Sequence, residues 1–147
     1  MNINLETAFD TISEYSHMWN WSPDINLAKE IYNNFPNSYS VLTPFMYVLL
    51  EEIIRSTTSD YGHQVKGKKK IIGINLIKLA INENYNNKEY LNVLNDIKKY
   101  FKNSTSFDCG DNRNSVSHGY LHPRFWTQES FEKLVIDISE ISKFSGF

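Results

Sequence analysis

The sequence predicts a single all-α domain, a bundle of about five to six helices, and three observations carry that prediction. Several segments place apolar residues at the 3.6-residue period of a buried helical face, while few alternate apolar and polar residues as strands do. No repeat, low-complexity block or Pro/Gly/Ser linker divides the chain, and its six Gly and four Pro fall at apparent element ends. A chain of 147 residues, 41% apolar, with nine Phe, nine Tyr and three Trp, has enough material for a core that needs neither metal nor disulfide.

Taken in order, residues 5–19 and 25–35 read as helices, the second capped by Asp24 after Pro23. Residues 1–40 then form a helical extension packed on the same domain, and residues 41–147 the bundle proper. Thr43 before Pro44 reads as N-cap and first helical residue of a strongly apolar, central helix that runs through Phe45, Leu49, Glu52 and Ile53 to Ser56. A further helix over residues 69–82 lines up Ile74, Ile77 and Ile81. Residues 87–102 follow, with Asn87 as cap and Tyr90, Leu94, Ile97 and Phe101 in line. The last helix begins after Trp126, with Thr127 as N-cap, Glu129 at the positive end of the dipole and Phe131, Leu134, Val135, Ile138 and Ile141 on one stripe.

Composition narrows the function classes. A formal net charge of −2 and a pI near 6.1 argue against holding nucleic acid by bulk positive charge. Lone Cys109 has no intramolecular partner, and no positively charged leader is evident, so a reducing cytoplasmic location is expected. The longest apolar run, Val41 to Leu50, is interrupted by Thr43 and Pro44 and is too short for a bilayer, so no membrane association is expected. Lysine outnumbers arginine twelve to three. Against that bias, Arg55, Arg113 and Arg124 point to positions where a planar five-donor fork matters.

The densest run of reactive side chains lies between the two clearest helices, from Cys109 to Pro123. Asp111 or Asn112 is placed to cap a short helix, Gly119 to end it and Pro123 to prevent its continuation. Arg113 and His118 are five residues apart, about 140° around a regular helix, so one chain presents them poorly together unless the helix loosens toward Gly119 and turns both to one groove, or a second copy across a two-fold axis completes the pair. Such a cleft suits RNA cleavage by the substrate's own 2'-hydroxyl, with His118 moving the proton and Arg113 holding the phosphate charge. Asn114 would orient either partner. The chemistry demands no metal or cofactor.

Arg113-Asn114-Ser115-Val116-Ser117-His118, trailed by Gly119-Tyr120, resembles the Arg, polar residue, spacer, His motif of HEPN domains. The likeness spans residues 40–143, including Leu49-Leu-Glu-Glu-Ile-Ile-Arg55, and leaves the N-terminal residues unmatched. The resemblance implies a small helical bundle and a metal-independent endoribonuclease of toxin-antitoxin, abortive-infection or other antiviral systems. It also implies a homodimer with facing motifs, a cognate antitoxin or defence partner, and catalytic positions for Arg113, Asn114 and His118. Inactive members also exist that act as scaffolds or ligand-binding modules, so a non-catalytic dimerisation or nucleotide-binding module is the competing expectation, although an intact Arg-His pair leans toward activity.

Around this motif, Lys68, Lys69 and Lys70, in the positive cluster that begins at Lys66, are candidates to bind the RNA backbone, as are His122 and Arg124. Each also has a plainer reading. The lysines make an ordinary solvated surface, His118 a helix C-cap and Arg113 a surface ion pair with Asp111 or a neighbouring acid. Glu51 and Arg55 make an i, i+4 pair unless Glu51 is buried against Arg113. A zinc site at His118 and His122 is disfavoured because Gly119 and Pro123 end the helix between them, and a nucleophilic Cys109 beside His118 lacks local support.

Overall fold

In a computed structural model the protein is all-helical, and residues 1–17, 20–62 and 69–147 are described. Those residues form seven α-helices and no strand: α1 (Ile3–Glu14), α2 (Ser22–Asn34), α3 (Tyr39–Ser56), α4 (Ile74–Glu83), α5 (Lys88–Ile97), α6 (Arg113–His118) and α7 (Gln128–Ser142). Short 3₁₀ turns precede α3, follow α5 and join α6 to α7. Helices α3 and α7 form the centre. α7 packs on α1, α3 and α5, and α3 also meets α4 and α6. None of the described helices is long and apolar enough to cross a membrane.

The central position of α3 follows from its sequence. Met46, Leu49, Leu50, Ile53 and Ile54 are wholly removed from solvent, as are Phe131, Leu134, Val135 and Ile138 facing them from α7. Each such side chain contributes roughly 1.5–3 kcal/mol by burial. Leu5, Phe9 and Ile12 of α1 and Ile25 and Tyr32 of α2 belong to the same buried cluster, and α3 itself runs unbroken across residues 40 and 41.

Three caps fall where the sequence places them. Asn87 accepts from the Tyr90 N–H, Thr127 from the Ser130 N–H, and Asn112 from the N–H groups of both Asn114 and Ser115. Other boundaries differ from expectation for identifiable reasons. Pro44 lies inside α3, which starts at Tyr39 out of a proline-led turn. Pro44 is exposed, so its missing N–H weakens only the water side of the first turns, while Thr43 is no cap and bonds back to the Tyr39 carbonyl. Asp24 sits in the first turn of α2, capped instead at Trp21. α1 stops at Glu14 rather than running to Trp19, and Trp19 lies outside the described residues. α5 tightens to a 3₁₀ turn over Lys98–Phe101.

The largest departure is at α4, which starts at Ile74 and not at Lys69. Gly73 adopts φ 61° and ψ −141°, which no helix contains. Upstream, side chains hold the backbone in place of a helical ladder. Arg55 Nη2 donates to the Ile71 carbonyl at 2.8 Å, the Ile71 N–H donates to Asp60 at 3.1 Å, and the Gly73 N–H donates to Glu51 Oε1 at 2.7 Å.

Candidate functional site

The site is built on α6, six residues long and fixed at both ends. Asn112 is buried, caps two N–H groups with its Oδ1 and donates through Nδ2 to the carbonyls of Lys102 and Asn103. Gly119 takes the left-handed conformation at φ 61°, with its N–H and that of Tyr120 returned to carbonyls of α6. A helix too short to persist alone is thus held by its caps and by packing on α3.

Ser115 and Val116 are buried, while Ser117 and His118 are exposed and Arg113 and Asn114 half-buried. At about 100° per residue, Asn114 and Ser117 centre the face opposite the buried one, and Arg113 and His118 flank it at about 70° to either side, separated by about 7.5 Å of rise. The two candidate catalytic residues therefore border one solvent-facing surface of α6, pointing to opposite sides of it. Ser115 Oγ, turned inward, has no hydrogen-bond partner among the described residues.

Arg113 is anchored by a buried acid, Glu51, and not by Asp111 at the surface. Its Nη2 meets Glu51 Oε2 of α3 at 2.8 Å, and its Nη1 makes a long 3.4 Å contact with Asn114 Oδ1. Asp111 instead accepts from the Cys109 N–H. Glu51 is only 8% exposed, so its carboxylate needs close donors, and it has two: the Arg113 fork and the Gly73 N–H. The helical i, i+4 pair of Glu51 with Arg55 is not made. Arg55 turns to Glu52 and Asp60, each at 3.3 Å. Of the two sequence readings of Glu51, a helical pair with Arg55 or burial against Arg113, the structure shows the second, and the signal available was an acid in the most apolar stripe of the chain.

His118 closes α6 with its side chain in solvent, and no described residue bonds to its imidazole. Asn114 donates from Nδ2 to the Lys102 carbonyl, which leaves its Oδ1 on the side of Arg113. His122 and Arg124 lie beyond Gly119 in the turn before α7. There the Arg124 N–H donates to His122 Nδ1, and the guanidinium stacks on Phe125 at 4.6 Å. Both side chains are exposed. His118 and His122 sit on no common helix, since α6 ends at His118, and no group of three or more His, Cys, Asp or Glu able to hold a metal occurs among the described residues. Cys109 donates from Sγ to the Phe107 carbonyl.

Lys69 and Lys70 are exposed on the extended segment that leads to Gly73, so the Glu51 carboxylate joins that segment to Arg113. Lys68 and Lys66 lie outside the described residues. Comparison with protein-family models, curated proteins and solved structures finds no match to this chain.

Proposed function

We propose that the protein is a HEPN-type, metal-independent endoribonuclease that acts as a homodimer, with α6 of two copies facing across a two-fold axis. The observation that carries this reading is the exposed face of α6, edged by a guanidinium on one side and an imidazole on the other. Related by a two-fold axis across that face, Arg113 of each copy comes beside His118 of the other. In such a cleft His118 takes the proton from the 2'-hydroxyl or returns one to the leaving 5'-oxygen. Arg113 stabilises the extra charge on the phosphorus-bound oxygens, and Asn114 holds the guanidinium. The products are a 2',3'-cyclic phosphate and a 5'-hydroxyl, and DNA, which lacks the nucleophile, resists.

The neighbouring surface supports a second copy. Val41, Pro44 and Val48 share a stripe of α3 with Glu51 at spacings of three and four. All three are exposed, Val41 by 77% and Val48 by 56%, and Tyr120 and Phe125 are exposed just beyond α6. A defence or toxin-antitoxin setting accords with the motif, and a cognate partner would then cover the same face.

A second reading is a non-catalytic dimerisation or nucleotide-binding module. The bond that favours it is Arg113 to Glu51, which gives the arginine a structural partner. Cleavage of labelled RNA with and without a chelator separates the two. The enzyme cleaves in chelator, and His118→Ala abolishes cleavage while leaving the fold intact. Mixing inactive Arg113→Ala and His118→Ala chains restores about a quarter of wild-type activity, because random exchange rebuilds one of four sites. Equal background from wild type and His118→Ala would leave only the module reading.

A further inference from the structure

The face of α4 carries a second feature that the α6 chemistry does not use. A groove of about 640 Å³ runs between the extended segment Lys69–Ile72 and α4, lined by Lys69, Lys70, Ile72, Asn75, Lys78 and Asn82. Asn75, Lys78 and Asn82 are spaced three and four apart, so they share one side of the helix, and all three are exposed.

Charge in this groove has one sign. Lys69, Lys70 and Lys78 form no ion pair among the described residues, and no carboxylate lines the groove. The acids nearest it already hold other donors. Glu51 binds Arg113 and the Gly73 N–H, and Asp60 binds Arg55 and the Ile71 N–H. Glu83, at the end of α4, takes both the N–H and the hydroxyl of Ser59. A chain whose net charge is −2 thus keeps a locally positive, concave strip, and local potential governs encounter. The strip also has apolar floor, from half-buried Leu79 and 55%-exposed Ile72.

We propose that this groove binds single-stranded RNA and feeds it toward Arg113. The inference rests on the ribonuclease reading for what happens at the far end of the strand, but not for binding itself. Lysines at Lys69, Lys70 and Lys78 take successive phosphates, the Asn75 and Asn82 amides donate to backbone or base edges, and unstacked bases rest on Ile72 and Leu79. A shallow, open groove of this kind takes a strand laid along it, and its lysine-phosphate contacts are indifferent to sequence. The strand is aimed by the backbone: Gly73 and Arg113 share the Glu51 carboxylate, so the segment bearing the lysines ends, at Gly73, on the carboxylate that holds the guanidinium.

The test uses the intact protein with fluorescent 12-nucleotide oligouridylate and its uncleavable 2'-deoxy counterpart, titrated across a salt series. Each phosphate neutralised on a single strand contributes about −0.7 to the slope of log K against log salt. The Lys69→Gln/Lys70→Gln/Lys78→Gln variant is expected to lose about 2 from that slope for both strands, shrinking the affinity change between 50 and 200 mM salt roughly 20-fold. Lys88→Gln, away from the groove, leaves it unchanged. An unaltered slope in the triple variant, or preference for a duplex of the same length, overturns the proposal. Cleavage of a dinucleotide too short to span the groove is read separately. It should survive the triple substitution, and its absence from the wild type alongside lysine-dependent binding of the deoxy strand would overturn the ribonuclease reading while the groove stands.

Discussion

Replacing Glu51 with Gln removes one charge from the link between α3, α4 and α6 while keeping the shape of the side chain. The carboxylate makes two short bonds, to Arg113 Nη2 at 2.8 Å and to the Gly73 N–H at 2.7 Å. Gln has one acceptor oxygen, so one of these bonds is lost or replaced by an N–H facing an N–H. A hydrogen bond involving a charged group contributes about 1.5–3 kcal/mol. The side chains of Arg113 and Glu51 are 13% and 10% exposed, so solvent screens the pair only partly, and at an effective dielectric constant near 20 the Coulomb attraction is capped at about 4 kcal/mol. A loss of about 2–3 kcal/mol is expected, a fall in Tm of about 5–10 °C for a chain of this size. Urea unfolding followed by circular dichroism measures it as a shift in midpoint at constant m. A double-mutant cycle with Arg113→Met should return a coupling of about 1–3 kcal/mol. On the proposed ribonuclease reading, RNA cleavage falls as well, since the guanidinium loses its anchor. A destabilisation below about 0.5 kcal/mol would place the pair with ordinary surface ion pairs and refute the claim that Glu51 fixes the site.

Two further outcomes follow from the same geometry. Asn112→Ala removes the cap of α6 and the amide that ties it to the Asn103 carbonyl, while the Lys102 carbonyl keeps its bond from Asn114, at an expected cost of about 1–2 kcal/mol. Amide hydrogen exchange should accelerate in α6 before the rest of the bundle, and uniform protection would contradict the capping role. At alkaline pH, burial pushes the Tyr90 hydroxyl up to about 12 from an ordinary value of 10.0, and burial also raises Tyr47 and Tyr100 strongly. Because the folded state keeps these protons, stability is intact below pH 10 and falls by about 1.4 kcal/mol per pH unit per tyrosine above it, through pH 12 for Tyr90. Tyrosine absorbance near 295 nm should therefore rise in step with loss of helix. Ionisation completed while the helical signal persists would contradict the burial argument.

Much of the fold was legible because it is written in local chemistry. The stripes of α5 and α7, the caps at Asn87, Asn112 and Thr127 and the stop at Gly119 each depend on residues within a few positions of one another. Such signals survive without knowledge of neighbours. Where prediction slipped, a distant partner had intervened. Lys69 to Ile72 have helical propensity, yet Arg55 and Asp60 take the carbonyl and N–H of Ile71, Glu51 takes the N–H of Gly73, and Gly73 turns the chain away. Pro44 marks a helix start by its own chemistry, but a 3₁₀ turn at Pro36 had already started α3.

The sequence by itself determined an all-α bundle, the residue types of the α6 motif and the short helix that displays them, since periodicity, capping and turn chemistry act over one or two helical turns. Only the tertiary structure decided that Glu51, 62 residues before Arg113, is its partner, and that the segment from Lys69 ends, at Gly73, on the same carboxylate. A buried charge takes whichever donor the packing brings within reach, and that choice is made by the arrangement of helices in space, to which spacing along the chain is blind.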